Sequence, residues 1–122
     1  MSESFRELLV WKKAMELAVA IYALTAQFPD TEKFGLTSQL RRAAVGIPSN
    51  VAEGHSKLST PAYILHLGHA RGSSAEIETQ ILLARAVGLC DVKSSEQAAL
   101  LNSEVGRMLT SMIKTLSAKK SA

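Results

Sequence analysis

Val10-Trp11-Lys12-Lys13-Ala14-Met15-Glu16-Leu17-Ala18-Val19-Ala20-Ile21-Tyr22-Ala23-Leu24, closed by Phe28-Pro29-Asp30, is the stretch that decides the fold. Val10, Ala14, Leu17, Ile21, Leu24 and Phe28 recur at spacings of three and four, the period of a helix and not of a strand. Pro29 disfavours helical backbone in the residue before it, so a helix over about residues 8–27 is predicted to stop there. Trp11, Met15, Ala18 and Tyr22 form a second, adjacent stripe. Only Lys12, Lys13, Glu16 and Gln27 read as wetted, leaving an apolar arc wider than the ~100° needed to cover one core. Trp11, Met15, Ala18 and Tyr22 are therefore the candidate contacts to a second subunit.

The remaining chain repeats the pattern. Leu36 opens a second helix, over about 36–56, with Leu40, Ala44, Ile47 and Val51 on one face and Gly46 and Pro48 within it. Pro48 has no amide hydrogen, so the carbonyl of Ala44 loses its helical partner and a kink is expected. Ser59-Thr60-Pro61 carries the hydroxyl cap and first-turn proline of a helix start. That third helix, about 60–87, aligns Tyr63, Leu67, Ala70, Ser74, Ile77, Ile81 and Ala84. Its middle is rich in small residues from Gly68 to Ala75, which reads as close helix packing, against Trp11 for example, with a ligand groove as the alternative. Gly88 is a stop, and Ser94-Ser95-Glu96 opens a fourth helix of about 95–116. Its apolar stripe is Ala98, Leu101, Val105, Met108, Met112 and Leu116. Asn102, Ser103, Arg107, Thr110 and Lys114 lie opposite, and residues 117–122 are expected to fray. The fold class is all-α, an antiparallel up-and-down four-helix bundle with helix 2 kinked at Pro48, one domain over residues 1–122.

Composition agrees. A chain of 122 residues supports one modest core. Its six aromatics leave an aliphatic core suited to helix packing. A mean hydropathy of +0.10 is high for a small monomer and points to burial between subunits. Fourteen Lys and Arg against eleven Asp and Glu give +3, which permits nucleic-acid binding without indicating it. The single Cys90 excludes an internal disulfide framework. No apolar run reaches the ~18 residues of a membrane span and no signal peptide is read, so a cytoplasmic protein without membrane contact is expected.

The patterns of catalysis are missing. No Glu has His three positions on, as a di-iron bundle requires. His66 and His69 share a helix side but have only His55 and Glu53 as further ligands, and read as surface histidines. Cys90 follows a helix C-terminus, where a thiolate is disfavoured. Glu76 and Glu78 point to different sides of one helix. Neither a catalytic residue, a cofactor nor a metal is expected. Arg41 and Arg42 sit among apolar positions. They read as phosphate contacts or as ion pairs to Glu76 or Glu53 between helices or between subunits. Lys12, Lys13, Lys119 and Lys120 complete the candidate nucleic-acid contacts.

Gln39-Leu40-Arg41-Arg42-Ala43-Ala44-Val45-Gly46-Ile47-Pro48-Ser49-Asn50-Val51-Ala52-Glu53-Gly54 resembles a signature of the family named for reading frames inside intervening sequences of bacterial 23S rRNA genes. The likeness extends to residues 10–14, to Phe28-Pro29 with Glu32, Phe34, Gly35 and Leu36, and to Ala70-Arg71-Gly72-Ser73 with Glu76. Gly46 departs from it, the family often having Ser there. The resemblance implies a bundle that assembles into a ring, with pentamers the expected form. It also implies kinship with the accessory protein of diversity-generating retroelements, a basic pentameric barrel associated with nucleic acid and reverse transcriptase. Pro48, Asn50, Glu53 and Gly54 read as its structural motif, Asn50 and Glu53 satisfying backbone amides or pairing with Arg across helices. The expected function is a non-enzymatic homo-oligomeric module that binds RNA or DNA through phosphates. The alternative is a bundle holding a small molecule or metal ion.

Overall fold

The computed structural model of the chain describes residues 4–121, except the side chains of 120 and 121. Four helices run in order: α1 (Leu9–Thr25), α2 (Leu36–Ser56), α3 (Thr60–Ala86) and α4 (Val92–Ser121). One-turn 3-10 helices at Phe5–Glu7 and Asp30–Glu32 precede α1 and α2, and no strand occurs among the described residues. Neighbours in sequence pack antiparallel, and α4 closes the bundle on α1; α1 and α3 are diagonal, their backbones held apart across the shared core.

The predicted stripes of α1, α2 and α3 form the core, whereas on α4 the buried line is Ala98, Asn102, Val105 and Leu109, and Leu101, Met108, Met112 and Leu116 of the predicted stripe are only partly buried. Leu17 and Ile21 of α1, Leu40 and Ile47 of α2, Leu67, Ile77 and Ile81 of α3, and Leu109 of α4 are fully enclosed. Each such side chain contributes roughly 1.5–3 kcal/mol of transfer free energy. Helix ends follow local chemistry. The Ser59 hydroxyl accepts the Ala62 amide at 3.4 Å. Gly88, at φ +82, makes the left-handed exit after α3 that other residues adopt only under strain. At the start of α2, the Leu36 amide donates to Glu32 Oε1 at 3.0 Å.

Three expectations are corrected. α4 begins at Val92 and not near 95, because Asp91 Oδ1 accepts the Ser94 amide at 2.7 Å. It also continues to Ser121 through the segment expected to fray; residues 107–121 hold no Gly or Pro, and Leu116 packs on the core. Pro48 is buried inside α2, which continues past it to Ser56. The small residues of α3 divide by face. Ser73 lies against Gly46 of α2 and Ser74 against Gly106 of α4, whereas a Cβ on Gly68 or Gly72 would meet only open space. Trp11 is nowhere near them, packing instead edge-on against Phe5 at 5.4 Å.

Candidate functional site

The C-terminal half of the Gln39-to-Gly54 motif forms one side of a polar cluster between α2 and α3. Asn50 Nδ2 donates to the Gly46 carbonyl at 2.8 Å, which leaves Asn50 Oδ1 as the acceptor for His66 Nδ1 at 3.0 Å. His66 therefore carries a proton on Nδ1. Its Nε2 faces Glu53 Oε2 at 3.9 Å, and Glu53 also meets Lys57 at 3.6 Å. Gly54 makes this approach possible: a Cβ there would lie 2.7 Å from the His66 Cβ and 3.1 Å from the Tyr63 ring. His66 is thus 8% exposed and not a surface histidine. Asn50 and Glu53 serve it, and not backbone amides or Arg side chains. Burial raises the pKa of Tyr63, whose hydroxyl has no hydrogen-bond partner. His69 is exposed, its ring 6.0 Å from that of His66. Among the described residues no group of three or more His, Cys, Asp or Glu converges to hold a metal ion.

The nucleic-acid candidates are scattered over the bundle. Arg41 Nε donates to Thr25 Oγ1 at 2.8 Å and its guanidinium lies 4.5 Å from the Tyr22 ring centroid. It also reaches the Tyr22 carbonyl at 3.4 Å, where the C-terminal turn of α1 attracts positive charge. Arg41 therefore ties α2 to α1, with no ion pair to Glu76 or Glu53. Arg42 is exposed and also lacks that pair, because it lies on the outer side of α2. Lys12 and Lys119 are exposed, whereas Lys13 faces Glu104 of α4 at 3.6 Å. The side chain of Lys120 lies outside the described residues.

A second group of cations does converge, and the sequence reading passed over it. Arg71 and Arg85 of α3 and Arg107 and Lys114 of α4 border a groove with a cavity of about 720 Å³. Ser74 and Asn102 cross its floor: Asn102 Nδ2 donates to the Ser74 carbonyl at 2.9 Å, and Ser74 Oγ donates to Asn102 Oδ1 at 2.9 Å. Asn102 is 5% exposed, a correction to its expected place on the wet face of α4. The signal lay in the register. Ser74 opposite Asn102 and Arg85 opposite Ser95, at 2.8 Å, bring Arg71 level with Arg107.

Two outward faces remain unpartnered. On α1, Met15, Tyr22 and the adjoining Val19, the last 67% exposed, form an apolar line, with Trp11 and Ala18 half-buried at its edge. On α3, Leu65, Gly68, Gly72, Ala75, Thr79 and Leu83 are exposed along one strip. Because α1 and α3 are diagonal, these faces look to opposite sides.

The profile of the 23S rRNA-intervening sequence protein family matches residues 6–111. Among solved structures, the chain is similar to a protein of unknown function from the S23 ribosomal protein family of Bacteroides thetaiotaomicron. The TM-score is 0.78 at 24% identity, covering 87% of this chain and 99% of that one, a likeness of fold. Among curated proteins no significant match is found.

Proposed function

The chain belongs to the 23S rRNA-intervening sequence protein family, and from that premise we propose that it is a non-enzymatic subunit of a homo-oligomeric ring, a pentamer, that binds RNA or DNA through phosphates. The observation that carries the reading is the pair of unlike outward faces on the diagonal helices. A ring needs two different patches on each subunit, joined head to tail. The large side chains of Met15, Val19 and Tyr22 on α1 complement the low relief of Gly68 and Gly72 on α3. Lys12 and Glu76, both exposed and without an ion pair among the described residues, flank the two faces with opposite charge. Burying a few such apolar side chains, at roughly 1.5–3 kcal/mol each, is enough to hold a subunit contact.

Nucleic-acid contact follows from assembly. Five copies at +3 carry about +15, concentrated on a rim or bore. Arg42, Lys12 and Lys119 are the exposed cations that such a ring presents, while Arg41 and Lys13 are held by neighbours within the chain. Trp11 is half-buried against Phe5, so binding addresses phosphates and not bases. The described residues include no helix long and apolar enough to cross a membrane, and we assign the ring to the cytoplasm. A gel shift with unrelated RNA and DNA strands at two salt concentrations tests the reading. The expected log–log salt slope is about −0.7 to −0.9 per phosphate neutralised. No shift at low salt, or one indifferent to salt, leaves a scaffold without nucleic acid.

A further inference from the structure

The groove between α3 and α4 holds four cations, Arg71, Arg85, Arg107 and Lys114, and one carboxylate, Glu78. Its excess of three positive charges is as large as the net charge of the whole chain. None of the four cations has an ion-pair partner among the described residues. Arg107 donates to Ser103 Oγ at 2.6 Å, which holds its guanidinium along the groove with further N–H groups free. Arg85 is steadied in the same way by Ser95.

The charges are unevenly placed. The register set by Ser74 and Asn102 puts Arg71 level with Arg107, with Lys114 beyond them and the hydroxyls of Thr110 and Ser111 alongside. Glu78 and Arg85 lie about two and four turns away along α3, beside the apolar side chains of Leu82 and Ala99. A carboxylate in mid-groove opposes a continuous phosphodiester track. It suits a ligand with one anionic end and a less polar body carrying hydrogen-bond donors. A cavity of about 720 Å³ is also the size of a small-molecule site.

We propose that this groove binds a nucleoside monophosphate, the phosphate held by Arg71, Arg107 and Lys114 and the nucleoside lying over Leu82 and Ala99 with Glu78 as acceptor. The site is complete within one protomer and does not depend on ring assembly or on binding of strands. Arginine is suited to the anionic end, since its planar fork of donors matches phosphate oxygens.

Calorimetric titration of the full chain with AMP, GMP, CMP and UMP, and with the four nucleosides, tests the assignment. At least one nucleotide is expected to bind below about 1 mM, and its nucleoside about tenfold more weakly or not at all. The double variant Arg71→Gln with Arg107→Gln is expected to lose about tenfold or more in affinity with an unchanged helical spectrum. Lys33→Gln, at an exposed position outside the groove, is expected to bind like the parent. Should the double variant misfold, Lys114→Glu on the exposed side of α4 provides the same readout. The proposal is overturned if none of the four nucleotides binds, if nucleosides bind equally well, or if the groove variants retain affinity. Binding of a 5′-phosphorylated oligonucleotide without binding of any free nucleotide also overturns it, and transfers the groove to the strand-binding reading.

Discussion

Gly54 and His66 show how much one missing side chain decides. The helices α2 and α3 come close enough for Asn50 and Glu53 to address both nitrogens of His66 only because position 54 has no Cβ. Gly54→Ala is therefore expected to destabilise the chain by about 1–3 kcal/mol, read from urea unfolding. Asn50→Ala with Glu53→Ala is expected to lower the melting temperature as well, by leaving a buried ring nitrogen unpaired. If neither change moved the unfolding transition, the cluster would not be structural. Asn50, Glu53 and Gly54 were legible as a motif in the sequence. Their partner was not, because His66 lies a loop and a turn further on and nothing in α2 states the register against α3.

At the level of elements, the buried pair Ser74 and Asn102 pins α3 to α4. Asn102→Ala strands the Ser74 groups and is expected to cost about 1–3 kcal/mol in chemical unfolding. Ser74→Ala combined with Asn102→Leu is expected to cost less than the two single effects together, and strict additivity would argue against a coupled pair. The start of α4 carries a pH dependence. The Ser94 amide and hydroxyl hydrogen bonds hold the Asp91 carboxyl below its ordinary value of 3.8. A depressed folded-state pKa stabilises the fold above the unfolded value, and that stability is lost as pH falls through the folded value. The melting-temperature advantage over Asp91→Ala should thus be full near neutral pH and shrink below 3.8; an advantage that grew in acid would contradict the cap. Helix number, core stripes and the Ser59 and Gly88 ends were legible because apolar spacing and caps are local signals. The ends of α4 and the burial of Asn102 were not, since a polar residue declares itself buried only through a partner on another helix.

For the whole molecule, the two outward faces are the feature that a single chain does not explain. Glycine in an exposed helix is unfavourable by roughly 0.8–1.0 kcal/mol relative to alanine, so Gly68 and Gly72 weaken an isolated α3 without packing against anything in the protomer. A neighbouring subunit supplies the reason. Gly72→Leu should leave the helical spectrum intact and weaken assembly, and Val19→Lys, at a site 67% exposed, should do the same from the other side. The apolar excess of α1 was legible in its second stripe, but the α3 face was not, because glycines read as internal packing until their open surroundings are seen. The direct measurement is the mass of the unmodified chain by light scattering at micromolar concentration. A mass of about 65 kDa, five times 13.1 kDa, is the result predicted, with Gly72→Leu and Val19→Lys shifted toward the single-chain mass; a parent chain of 13.1 kDa would contradict the ring.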